Sequence, residues 1–398
     1  MNTKSNHYIC NMSRKQIFEK KMERFIYLYI FLSGFVFIEP SLAELAFSFF
    51  LLLYITNVRV DTKIFALSML LFVPCFLSTY ISQTFFHLLN LRFVLIDLYL
   101  FFAFTILSSH MRKNLSPTDM INKLMLFWAM SGVINIFAGL LSLKNGGKLF
   151  GIEILIYGLR LKGFFKDPNV LGAFLVPPAI FYLSRAVRYK KQVLSFLTFV
   201  VLSLGIFFTF SRAAWLNYTI SLLLLLLIKL FKPKELKRLF TLLISLSAIA
   251  ILFWKVSASI EILGVNLQTF FLGRTGLQDY DKERFAAQKE FSNILSSTSL
   301  IFGAGPGNYE IFAKMSAHSL YLRYIGERGL FGFLLFLIFL LIIVLRTSRS
   351  KYSELLLPLL IGQLVNSLFI DSLHWRHFWV LFSLAFVKKD EALKQTIL

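Results

Sequence analysis

The stretch IFFTFSRAAWLNY (206–218) sets one permanent cation, Arg212, between two apolar runs. A guanidinium at the bilayer centre costs at least ~2.5–3.5 kcal/mol, so it belongs at a membrane edge, in a polar cavity or against an anion. Snorkelling of an edge arginine is the plain explanation. Other cations favour an anion: Arg160, Lys162 and Lys166 in RLKGFFKDPN, and Arg274 and Arg284 in the long polar segment 257–318. A helix starting near Asp281 would offer free N–H groups and a dipole to a phosphate beside Arg274 and Arg284. A surface pair of Arg284 with Asp279 or Asp281 is the competing reading. In SAHSLYLRYIGERGLFG, His318 is either a solvated loop residue or a base for a hydroxyl proton, because imidazole titrates near neutrality. Glu327 is a reserve base, although its spacing from Arg323 predicts an i,i+4 ion pair. The D-x-D of Asp279 and Asp281 suggests a metal-dependent transferase only weakly, since a helix cap accounts for Asp281. Without H-E-x-x-H, paired cysteines, a P-loop, a dinucleotide fingerprint or a serine elbow, any chemistry here rests on cations, a base and positioning, with no metal or cofactor.

These residues need a membrane scaffold. Of the 398 residues 57% are hydrophobic, 46 are Phe and 16% are charged, which excludes an ordinary soluble domain. The net charge of +21 comes as short clusters between apolar runs, so it speaks for membrane orientation and not for nucleic acid. Cys10 and Cys75 are spaced neither as metal ligands nor as a disulfide pair. Apolar runs near 25–38, 41–56, 64–79, 93–108, 121–143, 169–184, 193–211, 213–231, 239–256, 325–345, 355–370 and 374–387 predict an all-α polytopic membrane protein with about twelve transmembrane helices. With a cytoplasmic N-terminus the inside segments hold more than half of the 42 Lys and Arg. The division is then a cytoplasmic tail and uncleaved anchor (1–24), spans one to nine (25–256), an extracytoplasmic loop (257–318), spans ten to twelve (319–387) and a second cytoplasmic tail (388–398). Within the loop, Asp281 is the expected N-cap of a surface helix with Phe285, Gln288, Phe291 and Leu295 on one stripe, stopped by the turn FGAGPGNYE. Asp167-Pro168-Asn169 reads as a cap starting span six, Pro177 and Pro178 as a kink in it, and DSLHWRHFW (371–379) as an aromatic interfacial anchor.

In order along the chain, RLKGFFKDPNVLGAF (160–174), FTFSRAAWL (208–216), RFAAQKEF before GAGPGNYE (284–310) and HSLYLRYIGERGLFG (318–332) resemble the O-antigen ligase and polymerase superfamily of bacterial membrane glycosyltransferases. The resemblance implies a GT-C-like helical fold and a metal-independent, inverting transfer. A glycan would pass from an undecaprenyl diphosphate-linked donor to a glycan or lipid-A-core-type acceptor on the outer face of the bacterial inner membrane. It also implies the lipid bilayer and other polysaccharide-assembly proteins as partners. Matched residue by residue, Arg212 and Arg284 take the diphosphate, Arg160 precedes the G…PN segment, and His318 activates the acceptor. Ser319 stands where ligases often have Asn, which leaves ligase and polymerase both open. A transporter or lipid-linked oligosaccharide flippase is the alternative, disfavoured by one-sided cations and the lack of an internal repeat. A peptidoglycan polymerase would depend on Asp279 or Asp281 more than on His318.

Overall fold

The computed structural model describes residues 14–114, 116–189, 192–276, 281–283, 286, 291–313 and 316–387. The helices begin with α1 (Arg14–Leu32), α2 (Leu42–Tyr54), α3 (Thr62–Phe86), α4 (Leu91–Lys113) and α5 (Pro117–Ser142). They continue with α6 (Pro168–Arg188), α7 (Val193–Phe208), α8 (Arg212–Lys229), α9 (Pro233–Ser257) and the short α10 (Leu267–Thr275), α11 (Phe291–Ser297) and α12 (Tyr309–Phe312). The long α13 (Leu320–Ser348), then α14 (Ser353–Asn366) and α15 (Arg376–Ser383), follow. Each expected apolar run carries a helix. Seven of them, α3, α4, α5, α6, α8, α9 and α13, are long and apolar enough to cross a membrane.

The other five fall short for two reasons. α2, α7, α14 and α15 have 13, 16, 14 and 8 residues. At ~1.5 Å per residue none reaches the ~30 Å hydrocarbon thickness alone. α1 starts at Arg14, inside the stretch expected as a tail, so its first half is basic. The chain is an all-α, multi-pass membrane protein, with seven crossings supported by helix length and composition among the described residues.

Two apolar cores organise the bundle. In one, Trp128 of α5 and Phe174 of α6 are buried together, and the indole N–H donates to the Phe174 carbonyl at 2.8 Å. In the other, Phe101 and Phe104 of α4 pack with Phe339 of α13 and Trp379 of α15. Small extended hairpins cross the connections: β1 (Lys148–Leu149) with β2 (Ile152–Glu153), β3 (Leu155–Ile156) with β4 (Arg160–Leu161), and β5 (Glu261–Ile262) with β6 (Val265–Asn266). The prolines expected to kink span six, Pro177 and Pro178, both lie inside α6.

Long-range hydrogen bonds bring one end of many helices together. The Asn169 carboxamide, at the start of α6, accepts from Ser211, the residue that caps α8. α8 runs antiparallel to α14 through Asn217 to Gln363 (3.1 Å) and Ser221 to the Pro358 carbonyl (3.2 Å). The end of α14 meets the start of α13, where the Leu320 N–H donates to the Ser367 carbonyl at 3.0 Å. Ser82 near the end of α3 and Asn90 before α4 donate to the carbonyls of Ala304 and Gly307. The starts of α4, α6, α8 and α13 thus share one end of the bundle.

At that end α13 is broken. Gly329 has φ 65° and ψ −173°, so the helical hydrogen bonds stop there. The 300–305 strip fills the break: Ala304 and Gly305 N–H groups donate to Gly326 and Glu327 carbonyls, and Leu330 and Phe331 N–H groups donate to Leu300 and Ile301 carbonyls. Backbone groups freed by a break inside a bundle need such partners. The approach leaves no room for side chains, since a Cβ on Gly329 would lie 2.2 Å from the Ile301 oxygen and one on Gly303 2.6 Å from the Glu327 carbonyl carbon. The Gly/Pro segment expected only to stop a surface helix therefore docks into a transmembrane-length helix.

Candidate active site

The corner between α7 and α8 gathers three arginines. Phe210 turns the chain with φ 48°, a conformation that non-glycine residues seldom adopt, and its side chain is fully buried. It sits edge-on against Phe270 of α10 with centroids 4.8 Å apart, amid Phe207, Trp215 and Phe271. This packing fixes the turn. Ser211 then caps α8 by accepting from the Ala214 N–H, which puts Arg212 in the first turn of the helix. Gly172 lets α6 press against the corner, because a Cβ there would lie 2.5 Å from the Ala214 methyl carbon.

Arg160 comes from β4. Its Nε donates to the Thr209 carbonyl (3.2 Å) and its Nη2 to the Asn169 carboxamide (3.3 Å), the same oxygen that accepts from Ser211 (2.6 Å). Arg274, in the last turn of α10, donates to the Phe210 carbonyl at 3.4 Å. Arg212 donates to the Gly276 carbonyl at 3.0 Å and to Asp281 at 2.5 Å. Asp281 is buried while the Arg212 side chain keeps 29% of its surface exposed. Three of the four expected diphosphate ligands, Arg160, Arg212 and Arg274, thus surround residues 209–212. The fourth, Arg284, lies outside the described residues, as do Asp279, Phe285 and Gln288. The Asp281 carboxylate meets Arg212 from across the loop; most of the helix it is expected to cap lies outside the described residues.

His318 stands elsewhere on the same end. It is half-buried and precedes Ser319, the residue before α13. Ala317 packs with Ile294, Ala304 and Tyr309, so the histidine is carried on the layer formed by the Gly/Pro segment. Lys166 pairs with Glu39 on this end, and Arg92 joins the same carboxylate. The hydrogen bond from Lys166 and the two cations hold the Glu39 carboxyl below the usual carboxylate range, against a smaller opposing effect of burial.

Behind His318 lies a network that sequence spacing showed only in part. The expected Arg323–Glu327 pair forms at 2.9 Å. Arg323 also holds Glu310 and, through Nε at 2.8 Å, Asp371. Glu327 is buried between Arg323 and Arg328, and Arg328 reaches across the bundle to Asp97 of α4, which His374 meets at 3.2 Å. Arg328 and Asp97 are completely buried. DSLHWRHFW is therefore no interfacial anchor: His374 binds Asp97, Arg376 binds Glu44 and His377 is buried against Trp375 and Phe174. The signal that could have exposed this was Asp97 itself, a carboxylate inside the apolar run LIDLYLFF, where an unpaired charge is costly.

Among the described residues no group of His, Cys, Asp and Glu could hold a metal ion, and Cys75 is buried and unpaired with another cysteine. The arrangement offers fixed guanidinium groups at a helix start and an imidazole at the same bundle end. Residues 197–337, a little over a third of the chain, match the O-antigen ligase family (Wzy_C). Over this segment the chain is similar to that family. Arg212, Arg274, Arg284, His318 and Glu327 fall inside it, while Arg160 and Asp97 lie in the part of the chain before it. No curated protein sequence matches the chain. The match supports a glycan-transferring membrane enzyme.

Proposed function

We propose that the protein transfers a glycan from an undecaprenyl diphosphate-linked donor to an acceptor sugar hydroxyl at the outer face of the bacterial inner membrane, with inversion and without a metal. The observation that carries the reading is the corner at 209–212, where Arg160, Arg212 and Arg274 converge within a domain of a glycan-transferring family. A polyprenyl diphosphate has an apolar tail for the bilayer and two phosphates for its edge, and guanidinium groups match phosphate oxygens in geometry and charge. Arg212 contributes most because it stands in the first turn of α8 with part of its surface exposed, where it can meet the diphosphate beside its pair with Asp281. Arg284 completes the diphosphate grip.

As the bond from the anomeric carbon to the donor phosphate oxygen breaks, negative charge grows on the leaving diphosphate. Fixed arginines stabilise that charge more in the transition state than in the ground state. His318 accepts the proton of the attacking hydroxyl, whose oxygen forms the new glycosidic bond on the face opposite the departing phosphate. Glu327 serves beneath this site: flanked by Arg323 and Arg328, it keeps the start of α13 in place while His318 acts as the base. The basic opposite end, with Lys63, Arg112, Lys229, Lys232 and Arg346, faces the cytoplasm in this reading, as do both termini. The span count of twelve and the 257–318 outer loop belong to the same proposal, with the shorter helices completing crossings inside the bundle.

The test is incubation of the purified protein with a defined undecaprenyl diphosphate oligosaccharide, first alone and then with a lipid-core or oligosaccharide acceptor. A ladder without added acceptor identifies a polymerase, and single additions that require the acceptor identify a ligase. Folded protein that consumes no donor in either mixture would overturn the reading and leave transport across the bilayer as its successor.

A further inference from the structure

The end of the bundle opposite the arginine corner carries a cleft that glycan transfer does not use. About 350 Å³ opens between the start of α3, the ends of α4 and α13, and the turn at Phe386. At ~1.5 Å per residue the 25-residue α3 puts it about 37 Å from the end where Ser82 meets the Gly/Pro segment. Three cations line it: Lys63, Arg112 and Arg346. Asp61 is the carboxylate beside them, and its Oδ1 is already engaged. It accepts from Arg112 at 2.7 Å and from the N–H groups of Lys63 and Ile64, as the cap of α3. Among the described residues no carboxylate lies within ion-pair distance of Lys63 or Arg346. The Arg346 guanidinium instead lies over the buried Phe386 ring, 4.5 Å from its centroid.

The walls change character along the helices. One and two turns further into α3 are Leu67 and Leu70, and one turn back along α13 is Ile342, all lining the same cleft. A rim of cations above apolar walls, at a helix end of a membrane bundle, has the polarity of a phospholipid: a phosphodiester at the interface with an acyl chain below it. A free anion would have no use for the apolar walls. We propose that this cleft binds the headgroup of an anionic phospholipid, with its phosphodiester among Lys63, Arg112 and Arg346 and its acyl chain along Leu67, Leu70 and Ile342. The site is independent of the transfer reaction and would exist whichever glycan the protein handles.

The experiment is native mass spectrometry of the full chain in a neutral detergent, titrated with phosphatidylglycerol or phosphatidylcholine. Wild-type protein retains one phosphatidylglycerol in preference to phosphatidylcholine. K63Q/R346Q retains it roughly thirtyfold more weakly, the effect of two charges at an anionic surface. R349Q/K351Q, which removes two nearby cations outside the cleft, keeps wild-type retention. Equal retention by K63Q/R346Q and wild type overturns the proposal, and so does equal retention of phosphatidylcholine. Displacement of the lipid by equimolar inorganic phosphate overturns its lipid part. If the double variant fails to fold, K63Q alone changes one exposed side chain and is expected to weaken retention about fivefold.

Discussion

The protein pairs arginines with carboxylates in two places at one end of the bundle, and the two places are built for opposite purposes. Around the break in α13, Arg323, Glu327, Arg328 and Asp97 are sealed, with side-chain exposures of 7%, 1%, 0% and 0%. At the α7–α8 corner, Arg212 keeps 29% of its surface and holds one buried carboxylate. Burial decides what each can do. A sealed ion pair cannot exchange its partner for a ligand without leaving a bare charge in a medium of low dielectric, so it positions the chain. Arg212 keeps an exposed face, so it can meet an incoming anion while its pair with the buried Asp281 stays in place. The same side chain is structural in one setting and a ligand-binding group in the other.

Breaking the sealed side gives the largest effect. Arg328→Ala leaves Asp97 and Glu327 buried with one partner fewer, and is expected to cost about 3–5 kcal/mol. Size-exclusion and thermal unfolding in detergent should show a large loss of folded protein. Arg212→Ala, on the open side, takes a partner from one buried carboxylate, Asp281, and should lose less stability than Arg328→Ala, while transfer by the folded protein falls by about 10²–10³, the usual consequence of removing one donor to a developing anion. Arg212→Lys should be impaired as well, because a point charge lacks the bidentate fork. Gly329→Ala places a Cβ against the Ile301 oxygen at positive φ. About 1–3 kcal/mol of destabilisation is expected, read as a lower melting temperature. Glu39→Gln should have the smallest effect, under about 1 kcal/mol, since Glu39 and its partners Lys166 and Arg92 are all more than a third exposed. The Glu39 carboxyl titrates lower in the folded protein, so its contribution is present at neutral pH and is lost as the pH falls through that lowered value. A Glu39→Gln melting curve that shows the same acid-side decline as wild type would remove Glu39 from that account.

Local features of this structure could be read from the chain and distant ones could not. The apolar runs locate the helices, Asp167 caps α6 as its Asp-Pro-Asn sequence suggests, and Arg323 meets Glu327 because both lie on one helix face. The arginine corner was half legible: Arg212 marked itself by its apolar surroundings, but nothing near it in sequence points to Asp281 or to the shared Asn169 carboxamide. The sealed network was hidden for the same reason. Arg328 and Asp97 are 231 residues apart, and Asp97 meets His374 across 277. Periodicity reports which face of a helix is apolar, not which helix faces it. The break at Gly329 was equally silent, because the middle one of three glycines in IGERGLFG does not announce the strip 300–305 that fills it.

The central claim is that the half-exposed corner binds diphosphate and the sealed network does not. Equilibrium binding of a short polyprenyl diphosphate to purified, folded wild type, Arg212→Ala and His318→Ala tests it directly. Loss of charge-assisted hydrogen bonds predicts binding about 10- to 100-fold weaker for Arg212→Ala. His318→Ala should bind as wild type does while transferring no glycan. Equal affinity of wild type and Arg212→Ala would contradict the account.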